Sequence, residues 1–287
     1  MLGYIDIEAA NKRMIRKCTS SVEKINVDSK KLDIHLSKKF NTSNQNDMKK
    51  FLKILRKENI DTVIFHKNVY KEYKDIIDCV YVNDINIVTG NTLYINMVPN
   101  VIKYIFELSE NIKLEQVHMG MAIDLLSYSK LEFIRNIADK VRGITILTTA
   151  TSKFDNLCSE ILSKYGLVIK CTDNFKSGLK ECDVCINFDL DNSRFVNCIS
   201  NKCIVVNCSK NINKMRKAFK GIIINEINID LSDIDIGSIN VKDYSSLAIA
   251  QAHNNDNMNS KISNCVGLNG EIDDKEFIDF KLYKGKK

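Results

Sequence analysis

The first third of the chain mixes short apolar runs with stretches in which apolar residues follow helical spacing. Alternation or short apolar runs predict strands at four places: 3–7, 32–36, 62–65 and 85–88. Asp47 precedes a stretch with helical spacing and is predicted to cap a helix there. A second helix is predicted over 98–108, with Pro99 in its first turn, where a missing N–H costs least. This succession indicates a smaller α/β domain over residues 1–112.

The pattern becomes more regular from residue 113 onwards. Six strand-like segments mostly alternate with stretches of helical spacing: 116–123, 143–148, 167–170, 183–188, 203–207 and 221–224. Gly166 directly follows one helical stretch and is predicted to end it as a C-terminal cap. Apolar strands separated by helices are typical of a doubly wound, mostly parallel sheet. We therefore expect a Rossmann-like α/β domain over 113–253, followed by a polar tail or loop over 254–287.

Composition and charge narrow the class of protein further. Apolar residues make up 44% and charged residues 27% of the 287-residue chain, which is typical of a globular protein. The formal net charge of +6 comes from basic residues spread among acidic ones, so no nucleic-acid surface is predicted. No apolar stretch reaches the roughly 18 residues of a membrane span, and the first residues lack a secretory pattern. We expect a cytoplasmic protein without membrane contact, and the sequence leaves its oligomeric state open.

Ten cysteines raise the question of a disulfide, metal or redox site. The densest group runs from Cys182-x-x-Cys185 to Cys208 and contains enough thiols to bind a zinc ion. Cys185 and Cys203, however, lie in strongly apolar predicted strands, and a chain without an export signal keeps its thiols reduced. We therefore interpret these cysteines as small apolar core residues and predict no metal site.

Two stretches of the second half resemble a known group of enzymes. The run Glu181–Asn187 places an acidic residue and apolar residues before Ile-Asn, and Ser246–Ala252 has the pattern of a closing helix. In these stretches and in its element order, the segment 115–253 resembles the nucleotide-binding domain of shikimate dehydrogenase and glutamyl-tRNA reductase. The resemblance implies a Rossmann-like domain that binds NAD(P), and it implies that Gln251 contacts the substrate.

The sequence departs from this group where the cofactor would bind. The group has a glycine-rich turn after the first strand, because glycines let the backbone approach a pyrophosphate. Here Gly120 lies inside the predicted strand, and Asp124 places a negative charge where the diphosphate would lie. The cofactor is therefore unknown, and NAD(P) is disfavoured by the missing turn. No catalytic residue can be assigned, because the catalytic motifs of the group have no counterpart in the first half.

Two sets of candidate site residues follow from positions beside predicted strands. Hydroxyl and amine groups that follow the first two strands of the second half are candidates for phosphate binding: Ser127, Ser129, Thr148, Thr149 and Lys153. Polar residues expected near strand ends, together with Gln251, are candidates for a ligand cleft: His118, Asn187, Asp189, Asn207, Ser209 and Gln251. Capping of the following helix is the competing explanation for Ser127 and Ser129, and a structural hydrogen bond is the one for His118. Turn and cap formation is the competing explanation for the polar residues that follow the later strands: Asn187, Asp189, Asn207 and Ser209.

Two functional hypotheses remain open. The first is a degenerate Rossmann-like protein with a ligand-sensing or protein-interaction role and without the usual dinucleotide chemistry. The second is an NAD(P)-dependent oxidoreductase that acts on a small polar metabolite. The missing glycine-rich turn favours the first hypothesis, whereas the polar residues at the strand ends keep the second one open. A small-molecule ligand or a protein is the expected partner.

Overall fold

The computed structural model of the chain describes residues 1–7, 22–26, 31–36, 41–67, 69, 74–109, 112–235, 244–253 and 261–280. The chain divides into two compact units, each built from two separate stretches. The first unit comprises Met1–Leu93 and Asp230–Asn257, and the second comprises Tyr94–Ile229 and Met258–Lys287. The predicted limits 1–112, 113–253 and 254–287 refer to successive stretches of sequence and stay a prediction. No helix among the described residues combines the length and apolar character needed to cross a membrane.

The first unit contains, within the described residues, a five-stranded sheet with the strand order β2-β3-β1-β4-β5. Its strands are β1 (Leu2–Ile7), β2 (Val22–Asn26), β3 (Lys31–Leu36), β4 (Thr62–Phe65) and β5 (Asn86–Ile87). Neighbouring strands run parallel except for β2, which pairs antiparallel with β3. The four parallel strands overlap the predicted segments 3–7, 32–36, 62–65 and 85–88, so these predictions are confirmed. The antiparallel strand β2 is not among the predicted strands.

The helices of the described residues are numbered along the whole chain: α1 (Gln45–Lys57), α2 (Lys74–Val82), α3 (Asn91–Leu108), α4 (Tyr128–Ile137), α5 (Asp155–Tyr165), α6 (Asn192–Cys198), α7 (Ser246–Ala252) and α8 (Asp274–Ile278). Two predicted helix starts are wrong. The cap of α1 is Asn44, whose side chain accepts the backbone N–H of Asn46 at 2.9 Å, while Asp47 lies inside the helix. Helix α3 begins at Asn91, so Pro99 lies in its interior rather than in its first turn.

The sheet of the first unit has an apolar core on each face, because consecutive strand residues point in opposite directions. Ile5 packs on one face with Phe51 and Leu55 of α1. Tyr4 packs in a second apolar cluster with Ile64 of β4 and Ile249 of α7. The stretch from 230 to 257 therefore supplies part of the core of a sheet whose strands lie in the first 93 residues.

The second unit contains a six-stranded sheet with the order β11-β10-β9-β6-β7-β8. Its strands are β6 (His118–Ala122), β7 (Gly143–Leu147), β8 (Ile169–Thr172), β9 (Val184–Asn187), β10 (Ile204–Asn207) and β11 (Ile222–Ile224). Every neighbouring pair is parallel. Counted from β6, the order is 6-5-4-1-2-3, which is the order of doubly wound dinucleotide-binding folds. The predicted fold class and all six predicted strands are confirmed.

Small residues allow close packing inside this second sheet. A Cβ atom at Gly120 would lie 2.9 Å from Sγ of Cys182 and 3.0 Å from Cδ2 of Leu179, so the strand has no room for a side chain there. Cys182 is buried in the same apolar core as Cys185 and Cys203. The prediction that these cysteines are core residues is confirmed. Gly166 ends α5 with a left-handed backbone at φ 70°, as predicted.

The stretch from 261 to 280 differs from the polar tail or loop that the sequence pattern predicts. It contains β13 (Ile262–Val266), which pairs antiparallel with β12 (Glu226–Ile229), and it contains α8. Cys265 and Phe277 are buried, with 1% and 0% of their surface exposed. The buried apolar residues of this segment are widely spaced among Asn, Asp and Gly. The polar composition therefore gives no sign that the segment packs into the core.

Candidate functional site

The second unit has one place where the chain leaves neighbouring strands toward opposite sides of the sheet. Strands β6 and β9 lie side by side, but the next strands, β7 and β10, lie on opposite sides of this pair. Ala122 and Asn187, the last residues of the two strands, face each other in the parallel register. In open α/β sheets, ligands bind in the crevice outside the strand ends at such a switch point. We refer to loops 123–127 and 188–191, which follow these strands, as the switch-point crevice.

Asp189 is the central hydrogen-bond acceptor of the switch-point crevice. Its Oδ1 accepts the backbone N–H of Asp124 at 2.7 Å, and its Oδ2 accepts the backbone N–H of Leu125 at 2.9 Å. The ammonium group of Lys130, in the first turn of α4, donates to Oδ2 of Asp189 at 2.5 Å. The same ammonium donates to the carbonyl oxygen of Leu125 at 2.6 Å. A carboxylate from the loop after β9 is thus bound by the loop after β6 and by the helix that follows it.

The ion pair between Lys130 and Asp189 is largely removed from water. Their side chains are 6% and 18% exposed, and the Lys130 ammonium lies 5.6 Å from the centre of the Phe188 ring. Burying two charges costs several kcal/mol per ion, which is offset only when further hydrogen bonds complete the pair. Backbone N–H groups after the first strand are the groups that bind the pyrophosphate in dinucleotide-binding folds. In this chain they bind an internal carboxylate instead.

Asp124 connects the crevice to the end of β7. Its Oδ1 accepts the backbone N–H of Thr149 at 3.3 Å and the Thr149 hydroxyl at 3.2 Å. The negative charge that the sequence places after the first strand is therefore used to hold the loop after the second strand. Thr148 is buried, and its hydroxyl accepts the backbone N–H of Ala150 at 3.2 Å. Both threonines proposed for phosphate binding have partners within the unit.

The other proposed phosphate-binding residues lie on the surface beside the crevice. Ser127 occupies the N-cap position of α4 without a capping hydrogen bond from its side chain. Its hydroxyl lies 3.2 Å from the hydroxyl of Ser129. Lys153 is exposed, in a short 3-10 helix that precedes α5. The structure brings the two serines together, and their role in binding a phosphate stays a prediction.

Three asparagines connect the ends of the three strands β9, β10 and β11. The Asn187 amide donates to Oδ1 of Asn207 at 3.0 Å, and the Asn207 amide donates to Oδ1 of Asn225 at 3.0 Å. Each amide also binds a nearby backbone carbonyl, which belongs to Leu190, Lys210 and Ile212 respectively. We call Asn187, Asn207 and Asn225 the asparagine ladder. It fixes the loops beyond the strands, which matches the turn-forming alternative for Asn187 and Asn207. Asn225 is not among the predicted residues.

His118 lies away from the switch-point crevice. It is the first residue of β6, so the expectation that it lies near a carboxyl end of the sheet is wrong. Its Nε2 lies 2.9 Å from the Thr145 hydroxyl, and its backbone N–H donates to Oδ2 of Asp183 at 2.9 Å. Burial, followed by the positive charge of Arg142, lowers the pKa of His118 below its usual value. These contacts connect His118 to β7 and to the loop before β9, and a ligand-binding role for His118 stays a prediction.

Two further candidates lie elsewhere. Gln251 lies on α7 in the first unit, where its Oε1 accepts the backbone N–H of Leu93 at 3.5 Å. Ser209 is half-buried just beyond β10. A ligand-binding role for either residue stays a prediction.

Lys130 is the crevice residue that the sequence does not predict. A lysine in the first turn of a predicted helix normally points into water, so the sequence contains no local signal that this one is 5% exposed. The burial of Lys130 is recognisable only once Asp189 is known to lie beside it, because a buried ammonium needs a carboxylate partner. Among the described residues, no group of three or more His, Cys, Asp or Glu side chains is placed to bind a metal ion.

The strand order and the switch point together define a doubly wound, Rossmann-type α/β unit in which a carboxylate of the protein occupies the crevice. No protein-family model matches the sequence, and no curated protein is significantly similar to it.

Several solved structures have a low overall similarity to the chain. Ornithine transcarbamoylase from Giardia lamblia is 12% identical, with a TM-score of 0.32, over 77% of this chain and 79% of the enzyme. The dipicolinate synthase A chain from Bacillus subtilis is 15% identical, with a TM-score of 0.31, over 50% of this chain and 48% of that one. L-tryptophan dehydrogenase from Nostoc punctiforme is 12% identical, with a TM-score of 0.31, over 65% of this chain and 53% of that one. At such scores, function must be argued from the site.

Proposed function

We propose that this chain is a cytoplasmic Rossmann-like protein with a ligand-sensing or protein-interaction role and without the usual dinucleotide chemistry. The observation that carries the proposal is the position of Asp189, whose carboxylate holds the N–H groups of Asp124 and Leu125. A pyrophosphate needs N–H groups of this kind. A dinucleotide would have to displace a carboxylate that is itself paired with the buried Lys130, or bind beside it at the cost of like-charge repulsion.

The composition of the loop supports the same proposal. No glycine occurs between Met121 and Arg142, so side chains separate the loop backbone from any phosphate that approaches it. Leu125 and Tyr128 are 72% and 76% exposed, although both are large and apolar. Exposed apolar side chains are suited to contact with a protein or with an apolar part of a ligand. A small molecule or a protein partner is therefore the proposed binding partner.

The resemblance to the shikimate dehydrogenase and glutamyl-tRNA reductase group supports the rival hypothesis, an NAD(P)-dependent oxidoreductase. That hypothesis needs Thr148, Thr149 and Lys153 to bind the cofactor beyond β7. Thr149 is already bound to Asp124, and the only cation among the three, Lys153, is an exposed side chain. We therefore prefer the binding role.

The proposal is tested by the thermal unfolding of the purified full chain with NAD, NADH, NADP or NADPH at 1 mM. A ligand present at about 100 times its Kd stabilises a protein by about 2.7 kcal/mol, which is easily measured. We expect no change in the unfolding midpoint with any of the four compounds. A reproducible increase with one of them contradicts the proposal and supports the oxidoreductase.

The role of Asp189 is tested separately with inorganic pyrophosphate. In Asp189→Gly the N–H groups of Asp124 and Leu125 and the Lys130 ammonium lose their carboxylate, so we expect pyrophosphate to raise the unfolding midpoint of this variant. Asp173→Gly, which removes an exposed carboxylate of the same unit, is the matched control and is expected to behave like the wild type. Equal effects of pyrophosphate on wild type and Asp189→Gly would show that the carboxylate does not occupy an anion site.

A further inference from the structure

Two cysteine thiols of the second unit lie in contact with each other. The Sγ atoms of Cys158 and Cys171 are 3.6 Å apart, and the two residues are 13 positions apart in the sequence. Cys158 lies in the first turn of α5, and Cys171 lies in β8, a strand at the edge of the six-stranded sheet. Both side chains are half-buried, so small molecules in solution have access to this pair.

From this geometry we infer that Cys158 and Cys171 form an oxidation site, at which a hydroperoxide converts the two thiols into an intramolecular disulfide. An S–S bond is about 2.05 Å long, so the two sulfur atoms need to approach each other by about 1.5 Å. Rotation of two cysteine side chains covers such a distance without a change in the fold of helix or strand.

The reaction proceeds in two balanced steps. The Cys158 thiolate attacks one oxygen of the hydroperoxide, the O–O bond breaks, and the sulfur becomes a sulfenic acid while an alcohol or water leaves. The Cys171 sulfur then attacks the sulfenic sulfur, the S–S bond forms, and a second water molecule leaves with the Cys171 proton. Both thiols are oxidised by one electron each, and the hydroperoxide takes up the two electrons.

The surroundings determine the order of the two thiols. Burial and the neighbouring Cys158 thiol raise the pKa of Cys171 to about 12, so this thiol ionises last. Cys158 is half-buried on α5, so a hydroperoxide can reach its sulfur from solution. We therefore assign the first attack to Cys158 and the resolving step to Cys171.

Other cysteines of the same unit provide a contrast. Cys182, Cys185 and Cys203 share one apolar core and are 2%, 0% and 0% exposed. Burial raises the pKa of Cys185 well above its ordinary value, so this group is both inaccessible and protonated. An oxidant in solution should therefore distinguish the half-buried pair from the buried group.

The experiment treats the reduced, folded full chain with a small excess of hydrogen peroxide and removes the peroxide. It then unfolds the protein in urea, blocks the remaining thiols with N-ethylmaleimide and digests the protein with trypsin without reduction. Cleavage after Lys153, Lys164, Lys170 and Lys176 places the two cysteines in peptides 154–164 and 171–176. We expect these peptides as a cross-linked species that disappears on reduction, and N-ethylmaleimide on the peptides that contain Cys182, Cys185 and Cys203. Cys79, a half-buried thiol beside the Asn83 amide, is expected to carry no cross-link to either peptide.

Single variants make the result specific. Cys158→Ser and Cys171→Ser should each abolish the cross-link, and the oxidised wild type should unfold roughly 5 °C higher than either oxidised variant. A serine variant that fails to fold leaves the wild-type peptide map as the deciding measurement. The inference is overturned if peptides 154–164 and 171–176 remain fully alkylated after oxidation, if the cross-link joins two molecules, or if the buried cysteines oxidise first.

Discussion

At the scale of single residues, the charge balance of the switch-point crevice depends on Lys130 and Asp189, whose charged groups lie 2.5 Å apart. Breaking a buried pair leaves one uncompensated charge and typically costs 3–5 kcal/mol, whereas replacing both members with apolar residues is often neutral. We expect Lys130→Met and Asp189→Asn each to lower the free energy of unfolding by about 3 kcal/mol, measured by urea denaturation. The double variant Lys130→Met/Asp189→Asn, which removes both charges, should lose much less than the sum of the two single losses.

The control for this cycle is the exposed pair Lys103 and Glu107 on α3, whose charged atoms lie 3.6 Å apart with side chains 75% and 63% exposed. Its coupling should stay below about 1 kcal/mol, because water screens the interaction. Additive losses at Lys130 and Asp189 would mean that the two groups do not act as a pair.

His118 gives a pH dependence whose sign follows from its surroundings. Its pKa is lowered in the folded state, mainly by burial, so the unfolded chain binds the proton more readily. The neutral histidine therefore supports stability above the unfolded pKa of about 6.5, and this support is lost as the pH falls from there toward the lower folded pKa. We expect His118→Gln, compared with the wild type by urea denaturation between pH 7.5 and 5, to lose less stability on acidification. Parallel curves for the two proteins would contradict this expectation.

The sequence predicts the candidate site only in part, for reasons visible in particular residues. Asn187, Asp189 and Asn207 could be predicted to lie at strand ends, because the apolar strands before them are unmistakable. Their hydrogen bonds could not, since the partners come from loops 18 to 65 residues away in the chain, as for Asn207 with Asn225 and Asp189 with Asp124. Lys130 could not be predicted, because only the tertiary fold buries it.

At the scale of elements, local signals determine strands better than helix ends. Each predicted parallel strand is present, because its prediction rests on several apolar residues rather than on a single one. Helix starts depend on single residues, and Asn44 rather than Asp47 caps α1 although both types are good caps. In α3, the buried Leu93, Tyr94 and Met97 extend the helix upstream of Pro99. Tertiary burial thus overrides the usual preference of proline for a first turn.

Pro99 in the interior of α3 is therefore expected to lower the stability of the helix. Proline has no N–H to donate to the carbonyl oxygen four residues earlier, that of Ile95, and its ring crowds that carbonyl. Pro99 is exposed, so its replacement leaves no buried cavity. We expect Pro99→Ala to raise the free energy of unfolding by at least about 1 kcal/mol in urea denaturation. Lys103→Ala, an exposed change on the same helix, should alter it by less than about 0.5 kcal/mol. A destabilised Pro99→Ala variant would show that the surrounding contacts require the proline.

At the scale of the whole molecule, the second unit depends on residues near the end of the described chain. The backbone N–H of Asn225 donates to the carbonyl oxygen of Val266 at 2.8 Å, and the Ser109 hydroxyl donates to the carbonyl oxygen of Phe277 at 3.2 Å. The Tyr104 hydroxyl donates to Oδ1 of Asp274 at 2.9 Å. These contacts join residues 261–280 to α3 and to the segment that follows β11.

Two neighbouring positions on α8 test this dependence. Phe277 is 0% exposed and Ile278 is 38% exposed. Phe277→Ala should lower the free energy of unfolding by about 3–5 kcal/mol, because it removes a fully buried ring and leaves a cavity. Ile278→Ala should cost less than about 1 kcal/mol. Similar, small losses for both variants in urea denaturation would show that α8 contributes little to the stability of the second unit.

The division of each unit into two stretches has a consequence for the protein during its synthesis. A ribosome releases β1, β4 and β5 long before Tyr244, Ala248 and Ile249, which pack in the same apolar cluster as Tyr4 and Ile64. Until translation has passed residue 249, that apolar sheet face lacks these partners. The nascent chain therefore presents an uncovered hydrophobic surface while the whole of Tyr94–Ile229 is being made, and that interval is when a chaperone would have a surface to bind.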